Sequence, residues 1–171
     1  MRRRALADRP LAATRVSATG AVAIDLDALG DTSALWNDWL ASAGAVLGID
    51  PAGLSSDRVE AAAELDRRGA GNWRTLLERY SEDRAPVYLR RDAEVSAALR
   101  ALASSGRMIG VFTDAPEPLA RVALAQLGAK RRVAALETGD GALERLLATL
   151  GVDSVVIRTR DQLTDIAQTA E

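Results

Sequence analysis

The sequence predicts an α/β protein in which a parallel sheet is interrupted, directly after its first strand, by a block of helices. Three observations lead to this fold class. In the second half of the chain, apolar runs of strand length alternate with segments of helical periodicity, as in parallel sheets with crossover helices. A similar apolar run at residues 21–24 ends in acidic residues. Residues 31–84, which follow it, have helical periodicity only.

The first predicted strand carries two carboxylates at its end. Residues 21–24 are apolar and lead into Asp25 and Asp27. In an open α/β sheet, ligands bind beyond the carboxyl ends of the strands. Because side chains alternate along a strand, we expect both carboxylates to point the same way. Such a pair suits covalent or acid–base chemistry and needs a cation or a raised pKa to offset its repulsion. The alternative is that both carboxylates only cap neighbouring loops.

Three helices are predicted in residues 31–84, directly after the first strand. Turns that contain glycine or proline separate the periodic segments, which are residues 32–49, 56–68 and 72–80. All three tryptophans of the chain lie in these segments. We expect Trp36, Trp39 and Trp73 to form the core of the helices, the alternative being an aromatic lid or a partner-binding face.

Helices and strands alternate after the predicted helical segments. The predicted helices are residues 92–104, 116–127, 141–150 and about 161 onward, and the predicted strands are residues 108–112, 133–136 and 154–157. Polar residues again follow a strand at Thr113 and Asp114. Thr113 suits either a phosphate contact or a plain strand-terminal hydroxyl, and Asp114 is predicted to be the N-cap of the next helix.

The composition excludes several classes of chemistry. The 171 residues include no cysteine and no histidine, which excludes disulfides, thiolate catalysis, histidine general bases and the usual zinc ligands. Any metal would be a hard cation bound by oxygen, such as Mg²⁺. The net charge of −2 gives no electrostatic reason to expect nucleic-acid or anionic-membrane binding.

The first 20 residues are predicted to be a flexible tail. They begin with a basic run at residues 2–4, but no apolar segment follows, so they do not resemble a signal peptide. No apolar run reaches the roughly 18 residues that a membrane span needs. We therefore expect a protein that does not enter the membrane. The excess of arginine over the single lysine, with abundant alanine, is typical of high-GC bacterial genomes and favours a cytoplasmic protein.

The order of these features resembles the haloacid dehalogenase superfamily, chiefly its phosphatases with a helical cap. The resemblance rests on Asp25-Leu26-Asp27, the cap-sized insertion and the apolar strand that ends at Thr113. It implies a three-layer, Rossmann-like core of residues 21–30 and 85–171 with a helical cap of residues 31–84. It also implies that Asp25 is a nucleophile that becomes an aspartyl-phosphate, that Asp27 is the general acid and base, and that Thr113 holds the phosphoryl group. Asp114 and Arg158 are further candidate substrate or phosphate contacts.

The metal site that the resemblance implies is incomplete in this sequence. Mg²⁺ would be bound by Asp25 and Asp27, together with acidic residues after the last strand. Thr159 stands where the first of those acids is expected. Asp161 lies two residues late and could bind the metal only if the loop shifts.

The lysine that the family places near the end of the third strand is also missing. Counting back from the following helix, that position holds Glu137, and the only lysine, Lys130, precedes the strand. Arginines flank Thr159 at positions 158 and 160. We therefore hypothesise that an arginine takes the place of the cation beside Asp25 and Asp27, and that it also pairs with Glu137.

Two functions follow from these observations. One is a degenerate family member, impaired in phosphoryl transfer, that acts as a binding or assembly module, with the apolar positions of the cap available for a homodimer. The other is a Mg²⁺-dependent phosphohydrolase that acts on a small phosphorylated metabolite through Asp25. Glu137 and Thr159 favour the first.

Overall fold

The computed structural model describes residues 20–170, so the tail predicted at the N-terminus lies, but for Gly20, outside the described residues. The strands are β1 (Ala21–Asp25), β2 (Met108–Thr113), β3 (Ala135–Thr138) and β4 (Val155–Ile157). The helices are α1 (Leu26–Leu29), α2 (Ser33–Leu47), α3 (Arg58–Arg67), α4 (Trp73–Tyr88), α5 (Ala93–Ser104), α6 (Glu117–Gln126), α7 (Ala142–Leu150) and α8 (Arg160–Gln168). A short 3-10 helix, Pro51–Gly53, lies between α2 and α3.

The four strands form one parallel sheet in the order β3-β2-β1-β4. Asp25 of β1 lies opposite Phe112 of β2, which in turn lies opposite Glu137 of β3. The carboxyl ends of the strands therefore meet at one edge, here called the carboxyl edge. The predicted α/β class with a parallel sheet is confirmed, and the arrangement is compatible with a Rossmann-like fold.

Helices cover both faces of the sheet. Helix α7 packs on one face, where Ala23, Phe112 and Leu146 form a small buried cluster. The larger cluster, on the other face, includes Ile24 and Val111 together with side chains of the remaining long helices. The central strands β1 and β2 are covered on both faces, which explains why they are almost continuously apolar.

Helices α2, α3 and α4 form a helical block between β1 and β2. The three tryptophans are buried inside it, with ring centroids 5.1 Å apart for Trp36 and Trp39 and 5.8 Å apart for Trp39 and Trp73. The prediction that they form the core of the helices is confirmed. They belong to the same buried cluster as Ile24 of β1, so the helical block and the sheet share one continuous core.

Two predicted bounds were wrong. Helix α4 runs to Tyr88 instead of residue 80, because Ser81 and Ala85 pack inward and the helix lies against α6. Helix α4 thus crosses the predicted boundary between the cap, residues 31–84, and the core, which resumes at residue 85. The division into core and cap stays a prediction. Strand β3 is shifted by two residues, because the side chains of this edge strand are only half-buried and their apolar pattern marks its limits poorly. Among residues 20–170, no helix is long and apolar enough to cross a membrane.

Candidate functional site

The sequence pattern predicted that Asp25 and Asp27 project from one strand, and this prediction was wrong. β1 ends at Asp25, and the chain turns at once into α1, so Asp27 lies on a helix. The Asp25 carboxylate accepts a hydrogen bond of 3.0 Å from the backbone N–H of Asp27 and is the N-cap of α1. This is the capping role that the sequence left open as an alternative.

Thr113 is buried and hydrogen-bonded to the chain that follows it. Its side chain is at the carboxyl end of β2, and its Oγ1 accepts a hydrogen bond of 3.1 Å from the N–H of Ala115. Its carbonyl oxygen accepts from Gly139, in the loop after β3. The structure thus places Thr113 at the carboxyl edge, with its hydroxyl used in a local turn.

A buried arginine that the sequence analysis did not single out reaches this edge from the helical block. Arg58, the first residue of α3, is 6% exposed. Its guanidinium forms an ion pair with Asp114 and donates a hydrogen bond of 2.6 Å to the Oγ1 of Thr32, which is fully buried. Asp114 is therefore not the N-cap of α6, and that prediction was wrong: the N-cap is Pro116, which offers no side-chain hydrogen bond.

Carboxylates surround the guanidinium of Arg58. Partial burial of the carboxyl raises the pKa of Asp27, Arg58 opposes that rise, and the negative charges of Asp25, Asp31 and Asp114 add to it. The pKa of Asp31 is lowered, first by hydrogen bonding to Ser33 and only weakly by Arg58. Arg58 thus supplies positive charge in the position where neighbouring carboxylates would otherwise only repel each other.

The arginines that the sequence suggested as the replacement cation lie elsewhere. Arg160 pairs with Asp92 at 3.0 Å, and the guanidinium carbon of Arg158 lies 5.4 Å from the ring centroid of Phe112. Within residues 20–170, neither forms an ion pair with Asp25 or Asp27. The arginine that acts on the charge of Asp27 is Arg58 of α3, and its ion pair is with Asp114. An arginine that pairs with Asp25 and Asp27 stays a prediction.

The residues after β4 form a helix cap. The Oγ1 of Thr159 accepts a hydrogen bond from the N–H of Gln162, whose side chain accepts one in return from the N–H of Thr159. This capping box starts α8. Asp161 is exposed in the first turn of that helix. Among residues 20–170, no three histidine, cysteine, aspartate or glutamate side chains are grouped so that they could bind a metal ion.

Glu137 also has a partner other than the predicted one. Arg145 of α7 pairs with it at 2.9 Å and donates a second hydrogen bond, of 2.6 Å, to the carbonyl oxygen of Thr138. Lys130 is exposed and precedes β3, as predicted. The negative charge at the expected lysine position is thus neutralised within the β3–α7 unit.

No family model matches this sequence, and none of the curated proteins compared with it is significantly similar.

Proposed function

We propose that this chain is a haloacid dehalogenase-like protein with a degenerate site, impaired in phosphoryl transfer, that acts as a binding or assembly module. The observation that carries the proposal is the buried guanidinium of Arg58, which pairs with Asp114 and, by its charge, also opposes the rise in the pKa of Asp27 and weakly lowers the pKa of Asp31. It brings a fixed cation from the helical block, which corresponds to the helical cap of the family, to the carboxylates that a metal ion would need.

An arginine in this position differs chemically from Mg²⁺. Its guanidinium offers hydrogen bonds and charge, and it can bind carboxylates in a stable geometry. It has no vacant coordination position at which to polarise a transferring phosphoryl oxygen. Mg²⁺ demands near-ideal octahedral coordination by oxygen, and it would have to compete with Arg58 for the carboxylates.

The side chains at three positions that the family uses for catalysis or metal binding are hydrogen-bonded to nearby backbone here. Asp25 caps α1, Thr113 closes the turn at Ala115, and Thr159 caps α8. Each contact stabilises the local chain whether or not a substrate binds. This arrangement fits a fold that has kept the shape of the edge after the chemistry was lost.

A Mg²⁺-dependent phosphohydrolase of a small phosphorylated metabolite is the second candidate, and one observation favours it. The raised pKa of Asp27 is a property that a general acid requires, because the group must carry a proton near the working pH. Under this alternative, Asp25 would attack phosphorus and Asp27 would protonate the leaving group.

Hydrolysis of p-nitrophenyl phosphate separates the two candidates. The wild-type protein and its Asp25→Asn variant would be assayed with Mg²⁺ and with EDTA, and we expect equal rates in all four mixtures. Mg²⁺-dependent turnover that disappears in the variant would establish the phosphohydrolase instead. Because one generic substrate does not represent every phosphate ester, calorimetric titration with Mg²⁺ accompanies the assay, and we expect no saturable heat that Asp25→Asn abolishes.

A further inference from the structure

We propose that α3 is a movable flap whose N-terminal end is latched to the carboxyl edge by Arg58. When the contacts of Arg58 break, α3 swings away and uncovers the edge, while the rest of the helical block stays folded. The inference rests on the proposed function, since it treats Arg58 as the cation of a site that works by binding and regulates access to that site.

Helix α3 is weakly attached compared with its neighbours. Its buried residues are Arg58, Ala61 and Leu65, and the rest of its surface is partly or fully exposed. The apolar contribution to its docking comes from the buried Ala61 and Leu65 and the partly buried Ala62, whereas α4 packs along α2 and α6. A segment with few buried apolar contacts belongs to the part of a protein that opens locally.

The two ends of α3 are held in different ways. At the C-terminal end, Asp66 accepts hydrogen bonds from the indole N–H of Trp73, at 2.9 Å, and from both terminal nitrogens of Arg74, at 2.7 and 2.8 Å. Between these partners the chain turns through Gly69 and Gly71, both with positive φ. This end is therefore anchored to the start of α4 by several groups, and the turn gives it a pivot.

At the N-terminal end, Arg58 provides the attachment to other parts of the fold. Asp57 caps only its own helix, by accepting hydrogen bonds from the N–H groups of Val59 and Glu60. Arg58 bridges Thr32, at the entrance to the helical block, and Asp114, just after β2. The N-terminal end is thus the one that can leave the sheet.

The contacts of Arg58 with Thr32 and Asp114 favour two positions of α3, closed and open, over intermediate positions. A guanidinium is stable in a buried place only while charged and polar partners satisfy it. The side chain of Asp114 is 53% exposed, so water already reaches one side of the pair. Release into water solvates both ions at once, and the open state keeps the Asp66 anchor.

Thiol labelling can detect the motion because the chain has no cysteine of its own. Ala61→Cys places one thiol on the buried side of α3, and Ala85→Cys places one on the buried side of α4. Each is combined with Arg58→Met, which keeps the apolar stem, and with Arg58→Lys, which keeps the charge. Labelling by an excess of Ellman's reagent is followed over time in native conditions.

We expect Arg58→Met to accelerate labelling at position 61 by about tenfold or more, since hydrogen bonds to a charged group are strong enough to shift an opening equilibrium by that factor. Labelling should be faster at position 61 than at position 85 in every variant, because position 85 in the core is exposed only on general unfolding. The rate at position 61 in Arg58→Lys should lie between those of the wild type and Arg58→Met. Equal rates at both positions would mean that both thiols are exposed by general unfolding, and no acceleration at position 61 would mean that Ala61 and Leu65 hold α3. Either result overturns the latch. The assay does not depend on phosphate chemistry, so it can fail while the proposed function stands, or succeed while the protein proves to be a phosphohydrolase.

Discussion

Two arginines neutralise acidic residues at the carboxyl edge, and they do so in opposite ways. Arg58 is buried and joins residues that lie 26 and 56 positions away in sequence. Arg145 has a side chain that is 49% exposed, and it pairs with Glu137 only eight positions away. The first arginine holds separate elements together, whereas the second stabilises a loop that the local chain already brings into place. An arginine–carboxylate pair therefore contributes most to the fold where it is buried and joins residues that are distant in sequence.

The largest effect that this comparison predicts is the loss of Arg58. Arg58→Met removes the cation from a group of carboxylates, and removing one partner of a buried pair destabilises proteins by about 3 kcal/mol or more. Because the side chain of Asp114 is half-exposed, we expect a smaller loss of about 2–3 kcal/mol. Urea unfolding, which gives the free energy of unfolding, measures it. A loss below about 0.5 kcal/mol, the size typical of exposed pairs, would contradict the distinction between the two arginines.

A third arginine–carboxylate pair, between Arg74 and Asp66, makes the stability of the fold depend on pH. Hydrogen bonds from Arg74 and then from Trp73 lower the pKa of Asp66 to about 2. A carboxyl whose pKa is lower in the folded than in the unfolded protein stabilises the fold above the unfolded pKa and loses this effect as the pH falls through the folded pKa.

We therefore expect Asp66→Asn to lower the free energy of unfolding by about 1 kcal/mol at pH 6, a modest value because the carboxylate is half-exposed. Between pH 6 and pH 3 the difference from the wild type should shrink by about half. Urea unfolding at the two pH values measures it, with Asp50→Asn, an exposed aspartate that caps the 3-10 helix, as the matched control. A difference that stays constant with pH would show that the carboxylate charge is not what matters.

Removal of the buried hydroxyl of Ser81 should have a smaller effect on stability, and in the opposite direction. The Ser81 side chain of α4 is fully buried, and its Oγ has no hydrogen-bond partner among the described residues. Ser81→Ala should leave stability unchanged or raise it by up to about 1 kcal/mol, because it removes an unsatisfied group and a residue of low helix propensity. Thermal unfolding followed by circular dichroism measures the change. A clear destabilisation would mean that the hydroxyl is bonded in solution.

The smallest effect is expected at Arg145. Arg145→Met removes a half-exposed ion pair and hydrogen bonds to two carbonyl oxygens that water can replace. We expect a loss of about 0.5 kcal/mol, measured in the same urea experiment as Arg58→Met. A loss as large as that of Arg58→Met would show that the β3–α7 loop depends on the arginine.

Much of the fold could be predicted from sequence, because the apolar periods of strands and helices are local signals. The parallel sheet, the helical block and the tryptophan core all followed from those periods. Bounds were wrong where tertiary contacts decide them, as in the second half of α4, where the exposed, polar residues 82–84 conceal the packing of Ala85 on α6.

The candidate site was predicted less well, for a physical reason. Asp25, Asp27 and Thr113 were identified because each follows an apolar run, but their hydrogen bonds depend on how the chain turns, which no spacing reveals. Arg58 was missed because its partners are distant in sequence. One signal could have found it: Arg58 lies three and seven residues before Ala61 and Leu65, on the face that α3 buries.

The tryptophan core also determines which part of the protein is observed by absorption and fluorescence spectroscopy. All the tryptophans and tyrosines of the chain lie between residues 36 and 88, and the three indoles are in mutual contact range. Tryptophan and tyrosine absorption and fluorescence therefore come from the helical block alone, and energy absorbed by one indole can pass to the others. Fluorescence will follow the first half of the chain and be insensitive to β3, α7 and β4, whereas far-ultraviolet dichroism averages over every helix. Unfolding curves recorded by the two methods would coincide only if both halves of the molecule unfold together.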